Sequence, residues 1–260
     1  MSKMVKSISL FLLLFSVLTV SAENDKTGTS ICSTLKGLEY RIKAGFNIGG
    51  TSPLPLPAEI RKINSYRPGM QIAIEGNVIK WFDGTKWGGL FGVRFENKGM
   101  KTDAQVKNYH MVMDSYDPVN PGHMEGAWTG YVKTNVKNSY VTLPFQAIYK
   151  VSKRWDIKFG PYISFLTNGD FSGTAYDGYI REGDPTGEKA EVSEATYDFS
   201  NDLRTFQWGL DAGGEWRAYK HLSVYADLTW GLNSIFKKDF ESISFNMYNV
   251  YLNFGFGYVF

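Results

Sequence analysis

Cysteine is almost missing from this chain. Cys32 is the only one in 260 residues, so no intrachain disulfide framework can hold the fold. Histidine is nearly as scarce: His110, His123 and His221 are the whole supply. Neither sign of charge dominates, because 28 Lys and Arg face 26 Asp and Glu. A net charge of +2 gives no basic footprint for nucleic acid and no pull toward a strongly acidic partner. After residue 22 no uninterrupted apolar run approaches the roughly 20 residues of a membrane helix, and no segment keeps a helical period. What is plentiful is aromatic side chains, 16% of the chain and spread to its last residue.

The first residues form a separate unit. Lys3 and Lys6 precede ISLFLLLFSVLTV, residues 8–20, followed by Ser21-Ala22-Glu23. A basic start, a short apolar centre and a small-residue site predict a secretory signal peptide over 1–22, cut after Ala22. A retained anchor helix is the alternative. Residues 23–38 then read as a linker and 39–260 as one domain. Cys32 lies ten residues past the expected cut. A lipid-modified cysteine would come first, so Cys32 is read as incidental.

Within 39–260 the dominant signal is period two. Eight runs alternate an apolar with a polar or small residue: 40–50, 69–80, 87–99, 140–151, 155–166, 204–218, 221–232 and 249–260. Each is the length of a strand with one oily face. The last places Val250, Leu252, Phe254, Phe256, Tyr258 and Phe260 on one side, with Asn249, Tyr251, Asn253, Gly255 and Gly257 among those on the other. Links between runs alternate in length. Asp83-Gly84, Ser152-Lys153-Arg154 and Tyr219-Lys220-His221 mark tight turns. Residues 51–67, 100–139, 167–203 and 233–246 are long. This pattern predicts an all-β fold: an eight-stranded antiparallel up-and-down transmembrane β-barrel, with short periplasmic turns and long extracellular loops.

The second face decides between this barrel and a soluble sandwich or lipocalin-like barrel. It carries Arg41, Lys43, Arg94, Lys150, Lys158 and Arg217, and also Glu75, Glu96, Asp156, Asp211, Glu215 and Asp227. An eight-stranded barrel has an interior just wide enough for side chains. Balanced opposite charges can satisfy one another there, whereas isolated ones would be costly to bury. The expected lumen is therefore a closed, salt-bridged network. Five or six apolar residues in alternation also match the roughly 10-residue crossing of a membrane strand. Tyr40, Trp87, Trp155, Trp216, Trp230, Tyr248 and Tyr258 sit near run ends, where interfacial girdles form.

Several short motifs occur in order: Lys43-Ala44-Gly45-Phe46-Asn47, Leu143-Pro144-Phe145-Gln146, Lys158-Phe159-Gly160-Pro161-Tyr162, Gly209-Leu210-Asp211-Ala212-Gly213-Gly214-Glu215 and Gly257-Tyr258-Val259-Phe260. With these the chain from about residue 38 resembles the PorT-like family of outer-membrane β-barrels, also called porin-family barrel-domain proteins. The resemblance implies a Gram-negative outer-membrane location and no shared catalytic residues. Tyr258 and Phe260 resemble the terminal signal read by the barrel-assembly machinery, an expected partner alongside outer-membrane lipids. One branch of the family is associated with protein secretion and gliding.

The chemistry-bearing residues give little else. His110 and His123 share one long link with Asp114, Ser115, Asp117 and Glu125, a set in which a histidine could act as general base. Asp117-Pro118 and Pro121-Gly122 read there as turns. The link 167–203 is acidic, with Asp170, Asp177, Glu182, Asp184, Glu188, Glu191, Glu194, Asp198 and Asp202, but lacks the spacing of the twelve-residue calcium loop. The glycine-rich stretches 45–50 and 211–216 lie in strands without a following helix, which makes a poor phosphate cradle. No cofactor, metal or enzymatic activity is expected. The reading is a surface, scaffold or binding protein with a filled lumen, any ligand being met by the links 100–139 and 167–203. A small-solute pore or secretion-associated component is the alternative, and a loop-borne enzyme the second.

Overall fold

Alternation of side chains across a pleated backbone can be read strand by strand in the computed structural model, which describes residues 37–116 and 121–260. The signal-peptide reading, Ala22, Cys32, Asp117 and nearly all of the 23–38 linker lie outside the described residues. A compact unit runs from Glu39 to Phe260. It is all-β: eleven strands and one short 3-10 turn, Ser200–Asp202, with no α-helix among the described residues. In chain order the strands are β1 (Leu38–Pro53), β2 (Ile60–Arg67), β3 (Gln71–Trp81), β4 (Trp87–Tyr116), β5 (Pro121–Lys150), β6 (Trp155–Asn168), β7 (Phe171–Glu182), β8 (Lys189–Asp198), β9 (Phe206–Arg217), β10 (Leu222–Gly231) and β11 (Met247–Val259).

The count is thus eleven, where the alternating runs predicted eight. The three extra strands, β2, β7 and β8, lie in segments read as links, and the 100–139 link is largely the outer parts of β4 and β5, each 30 residues long. Strand pairing forms two closed circuits that share β4 and β5. The first joins β1, β11, β10, β9, β6, β5, β4 and β3 back to β1. The second joins the far ends of β4 and β5 through β7 and β8, with β8 returning to β4 at Asp114↔Thr196 and Ser115↔Ala195. β2 lies along β4 as an edge strand.

The turns of the first circuit follow from local chemistry. Gly84, with φ +70, takes the left-handed corner between β3 and β4 that a side chain would disfavour. The registers are long and regular; β1 pairs β11 without a break from Arg41↔Val259 to Pro53↔Met247. At Gly45, opposite Gly255 in that register, a Cβ would stand 2.1 Å from the Phe254 carbonyl and 2.6 Å from Tyr225 Oη. Glycine there lets the closing seam approach the lumen side chains.

The circuits differ in what they enclose. In the first, the outward positions are apolar and exposed: Phe159 is 57% exposed, Phe256 63% and Leu228 46%. The inward positions are polar and buried, among them Arg41, Lys43, Arg94, Asp211 and Asp227. In the second, Met111, Trp128, Val132, Phe171, Val192 and Tyr197 form a dry core, into which Ile235, Phe236 and Ile243 of the 232–246 link also pack. The phase of the strands does not change between the two. Along β4 the inward series runs Arg94, Glu96, Lys98 and then Met100, Ala104, Val106. The outward series runs Phe91, Val93, Phe95 and then Asn97, Lys101, Asp103, Gln105. On β5 the same exchange falls between Val141, partner of Phe95, and Ser139, partner of Asn97.

Candidate functional site

Two places could carry function: the lumen of the eight-strand circuit, and a cavity among the segments read as links. The lumen's filling is layered. At the turn end Ile79, Leu90 and Ile148 form a buried apolar cluster with Trp81 packed against it. Above them comes the charge belt. Arg41 bonds Asp156 at 2.7 Å, Glu215 at 2.9 Å and Glu39 at 2.5 Å. Lys43 reaches Glu75 at 2.5 Å and Asp227 at 3.0 Å. Arg94 joins Glu75 through Nε and donates from Nη2 to Asp211 at 2.8 Å. Lys158 donates to Asp227 at 2.8 Å. Further out, Lys98 pairs with Glu96 at 3.0 Å and stands 5.4, 5.5 and 5.7 Å from the ring centres of Tyr140, Tyr162 and Tyr251, within cation–π range.

Ten of the twelve charged residues singled out for the lumen are buried in this belt. Lys150 and Arg217 continue the inward series but are only half-buried. Each ends its strand, so its side chain reaches the rim. Lys150 stands 4.0 Å over the Trp81 ring, and Arg217 lies 3.7 Å from Glu39 with a side chain 34% exposed. Lys98 was missed, although it continues the inward series of β4 by one more step. The belt interlocks carboxylates and cations from β1, β3, β4, β6, β9 and β10, so it ties the staves of the cylinder together. Several buried atoms within it still have no partner, including Arg94 Nη1, Asp211 Oδ1 and Asp227 Oδ1.

Among the described residues His110 and His123 stand in separate pairs. His123 Nδ1 meets Asp114 Oδ1 at 2.9 Å as an exposed cross-strand pair. His110 Nε2 is 3.7 Å from Glu125. The two rings belong to separate pairs on the β4–β5 ribbon. The acidic 167–203 segment is a hairpin, β7 and β8, with its carboxylates spread along it; among the described residues no group of three or more His, Cys, Asp or Glu is placed to hold a metal ion. In the turn, Asp184 accepts from Thr186 N and Oγ1, which holds its carboxyl below its ordinary pKa.

The second place draws on the links 100–139 and 167–203, where a ligand was expected, but nothing in the sequence signals a cavity there. A cavity of about 370 Å³ opens beside the dry core, lined by Gly50, Ile60, Ile63, Met100, Val132 and Phe171 among others. Three of the lining hydroxyls are engaged within the protein. Thr51 donates to Asn249 Oδ1 at 2.7 Å, Tyr197 donates to the Lys133 carbonyl at 2.9 Å, and Thr134 Oγ1 lies 2.7 Å from Tyr197 Oη. Burial pushes the Tyr109 and Tyr197 phenols above their ordinary range, so both remain neutral.

An oily exterior wrapped around a buried, charged interior, with closed pairing and no free edge in the circuit, defines a membrane-crossing β-barrel. The sequence model of the family described as "Outer membrane protein beta-barrel domain" matches residues 22–237, and the chain belongs to that family; it is an integral outer-membrane β-barrel protein. None of the curated proteins compared with it matches.

Proposed function

We propose that the eight-strand circuit is a sealed membrane anchor and that the protein works, without catalysis, through the sheet built outside the membrane by β2, β7, β8 and the outer halves of β4 and β5. In this reading the short turns are periplasmic, and the membrane surface crosses the β4–β5 ribbon between the Phe95/Val141 and Asn97/Ser139 pairs. The observation that carries it is the exchange of polarity at that level with no change of strand phase. Hydrocarbon outside calls for apolar outward side chains, and water outside favours polar ones with the apolar ones turned in. Nine residues of β4, Trp87 to Phe95, then cross, matching the roughly 9–11 residues of a tilted membrane strand. The aromatic pairs Trp87–Tyr149 and Trp155–Trp216, with ring centres 4.7 and 6.3 Å apart, mark the opposite interface. The narrower PorT-like assignment rests on the ordered motifs from Lys43-Ala44-Gly45 to Gly257-Tyr258-Val259-Phe260. Residues 1–22 are proposed to be removed on export.

A filled lumen does not conduct. The purified protein in planar bilayers is expected to give a quiet baseline. Stable unitary steps would reject the sealed anchor in favour of a small-solute pore.

A further inference from the structure

We infer that the cavity beside the dry core is a binding site for a hydrocarbon chain, entered sideways from the outer leaflet. The inference rests on the membrane level proposed above. The chemistry of the lining selects the ligand class. The walls are mostly Ile, Val, Met and Phe side chains with Thr and Tyr between them, and the hydroxyls of Thr51, Thr134 and Tyr197 are engaged within the protein. A mostly apolar wall with no charged side chain favours an apolar guest. A volume of about 370 Å³ falls in the usual range for small-ligand sites. Apolar cavities stay dry and accept apolar guests.

Position selects the route. Gly50 and Val250 both line the cavity and face each other across the β1–β11 seam. They continue the outward, lipid-facing series of those strands, which runs through Phe46 and Ile48 on β1 and through Leu252 and Phe254 on β11. The wall thus grades into the oily exterior. Glycine at 50 keeps that passage open: a Cβ would lie 3.0 Å from Met100 Sδ and 3.3 Å from Tyr66 Oη. Three further lining residues, Leu56, Ile63 and Tyr66, are 53%, 51% and 48% exposed. Large apolar groups half-open to the surroundings around a hollow mark a binding mouth. A chain leaving the leaflet at the level of Ile48 would meet apolar surface all the way in.

The test uses the full-length barrel in lipid nanodiscs containing a phospholipid with a diazirine near its acyl terminus. After irradiation, adducts are mapped by mass spectrometry. Adducts on Met100, Ile63 and Met111 at fivefold or more the per-residue level on Phe159, Leu228 and Phe256 are expected. Ala104→Trp, which fills the cavity, should return them to belt level, while Gln105→Trp, on the opposite face of β4, should leave them unchanged. Boiling-dependent gel migration verifies that each variant is folded. If Ala104→Trp does not fold, the wild-type map decides alone. Labelling confined to the belt, or cavity labelling indifferent to Ala104→Trp, would overturn the site. Labelling by a diazirine fatty acid added from water, with none by the phospholipid, would overturn the lateral route. A conductance measured in bilayers would reject the sealed anchor and leave this map untouched, so the two failures are separable.

Discussion

Removal of one carboxylate from the charge belt should cost far more than removal of a surface partner. Asp227 is the sharpest choice. It is fully buried, and its Oδ2 accepts from Lys158 at 2.8 Å and Lys43 at 3.0 Å, with Arg94 3.9 Å away. Lys43 retains Glu75 at 2.5 Å when Asp227 is lost, but among the described residues Lys158 has no second carboxylate within ion-pair distance. Asp227→Ala therefore strands a buried ammonium. Breaking a buried pair in this way costs about 3–5 kcal/mol, or roughly 2–4 decades in the unfolding equilibrium. Asp227 Oδ1 has no partner in the wild type, so the lower part of that range is expected. Lys158→Met should cost less, because Asp227 keeps Lys43. The double variant Asp227→Ala/Lys158→Met should recover part of the loss, a coupling on the order of 1–3 kcal/mol. The assay is urea unfolding in lipid vesicles, read by tryptophan fluorescence and gel migration. Added salt should change little, since screening at about 1 M acts on exposed charges. A loss below about 1 kcal/mol for Asp227→Ala, the range of exposed pairs, would refute the sealed lumen.

Two further outcomes follow from the geometry. Gly45→Val places a branched side chain against the Phe254 carbonyl and Tyr225 Oη at the closing seam; it should abolish the compact, boiling-sensitive gel form, while Gly76→Ala, where no atom lies within 4 Å of the added Cβ, should not. On the outer sheet, Tyr176 donates to Asp103 at 2.9 Å and stacks on Tyr131 with ring centres 5.3 Å apart. Burial and that carboxylate push its phenol up to about 12, against about 10 for a free tyrosine. A raised acid pKa stabilises the fold below pH about 10 and loses that contribution as pH climbs through about 12. The ultraviolet titration difference between wild type and Tyr176→Phe should then show one phenol ionising near pH 12; a difference centred near pH 10 would contradict the contact.

The membrane circuit was legible because its alternation is strong: one face is Ile, Phe, Leu and Trp, and the other is charged or small. The outer sheet was not, and its residues explain why. Past Lys98 the inward face of β4 weakens to Met100, Thr102, Ala104 and Val106, while the outward face turns polar, so a search for oily alternation stops there. At Asn108 the backbone adopts φ +53 and the pairing shifts between Val106 and Tyr109. The inward series moves from even to odd numbers, to Tyr109, Met111 and Met113, which breaks the period-two pattern. The β7–β8 hairpin was hidden by its acidic residues, most of them outside a slender inner row of Ala175, Ile180, Val192 and Ala195. The cavity could not be read at all, because its walls come from β1, β2, β4, β5, β7, β8 and β11, which meet only through long-range strand pairing.

The level at which the polarity exchanges is open to direct measurement. With Cys32→Ser as background, nitroxides placed singly at Phe91, Val93, Phe95, Asn97, Lys101, Asp103 and Gln105 in lipid vesicles report accessibility to oxygen and to a water-soluble nickel complex. Oxygen should dominate at Phe91, Val93 and Phe95, and nickel from Lys101 onward, with the crossing near Asn97. Oxygen dominance persisting through Gln105, or Phe91 and Phe95 shielded from both probes, would contradict a barrel that wears its oily face outward and stops at that line.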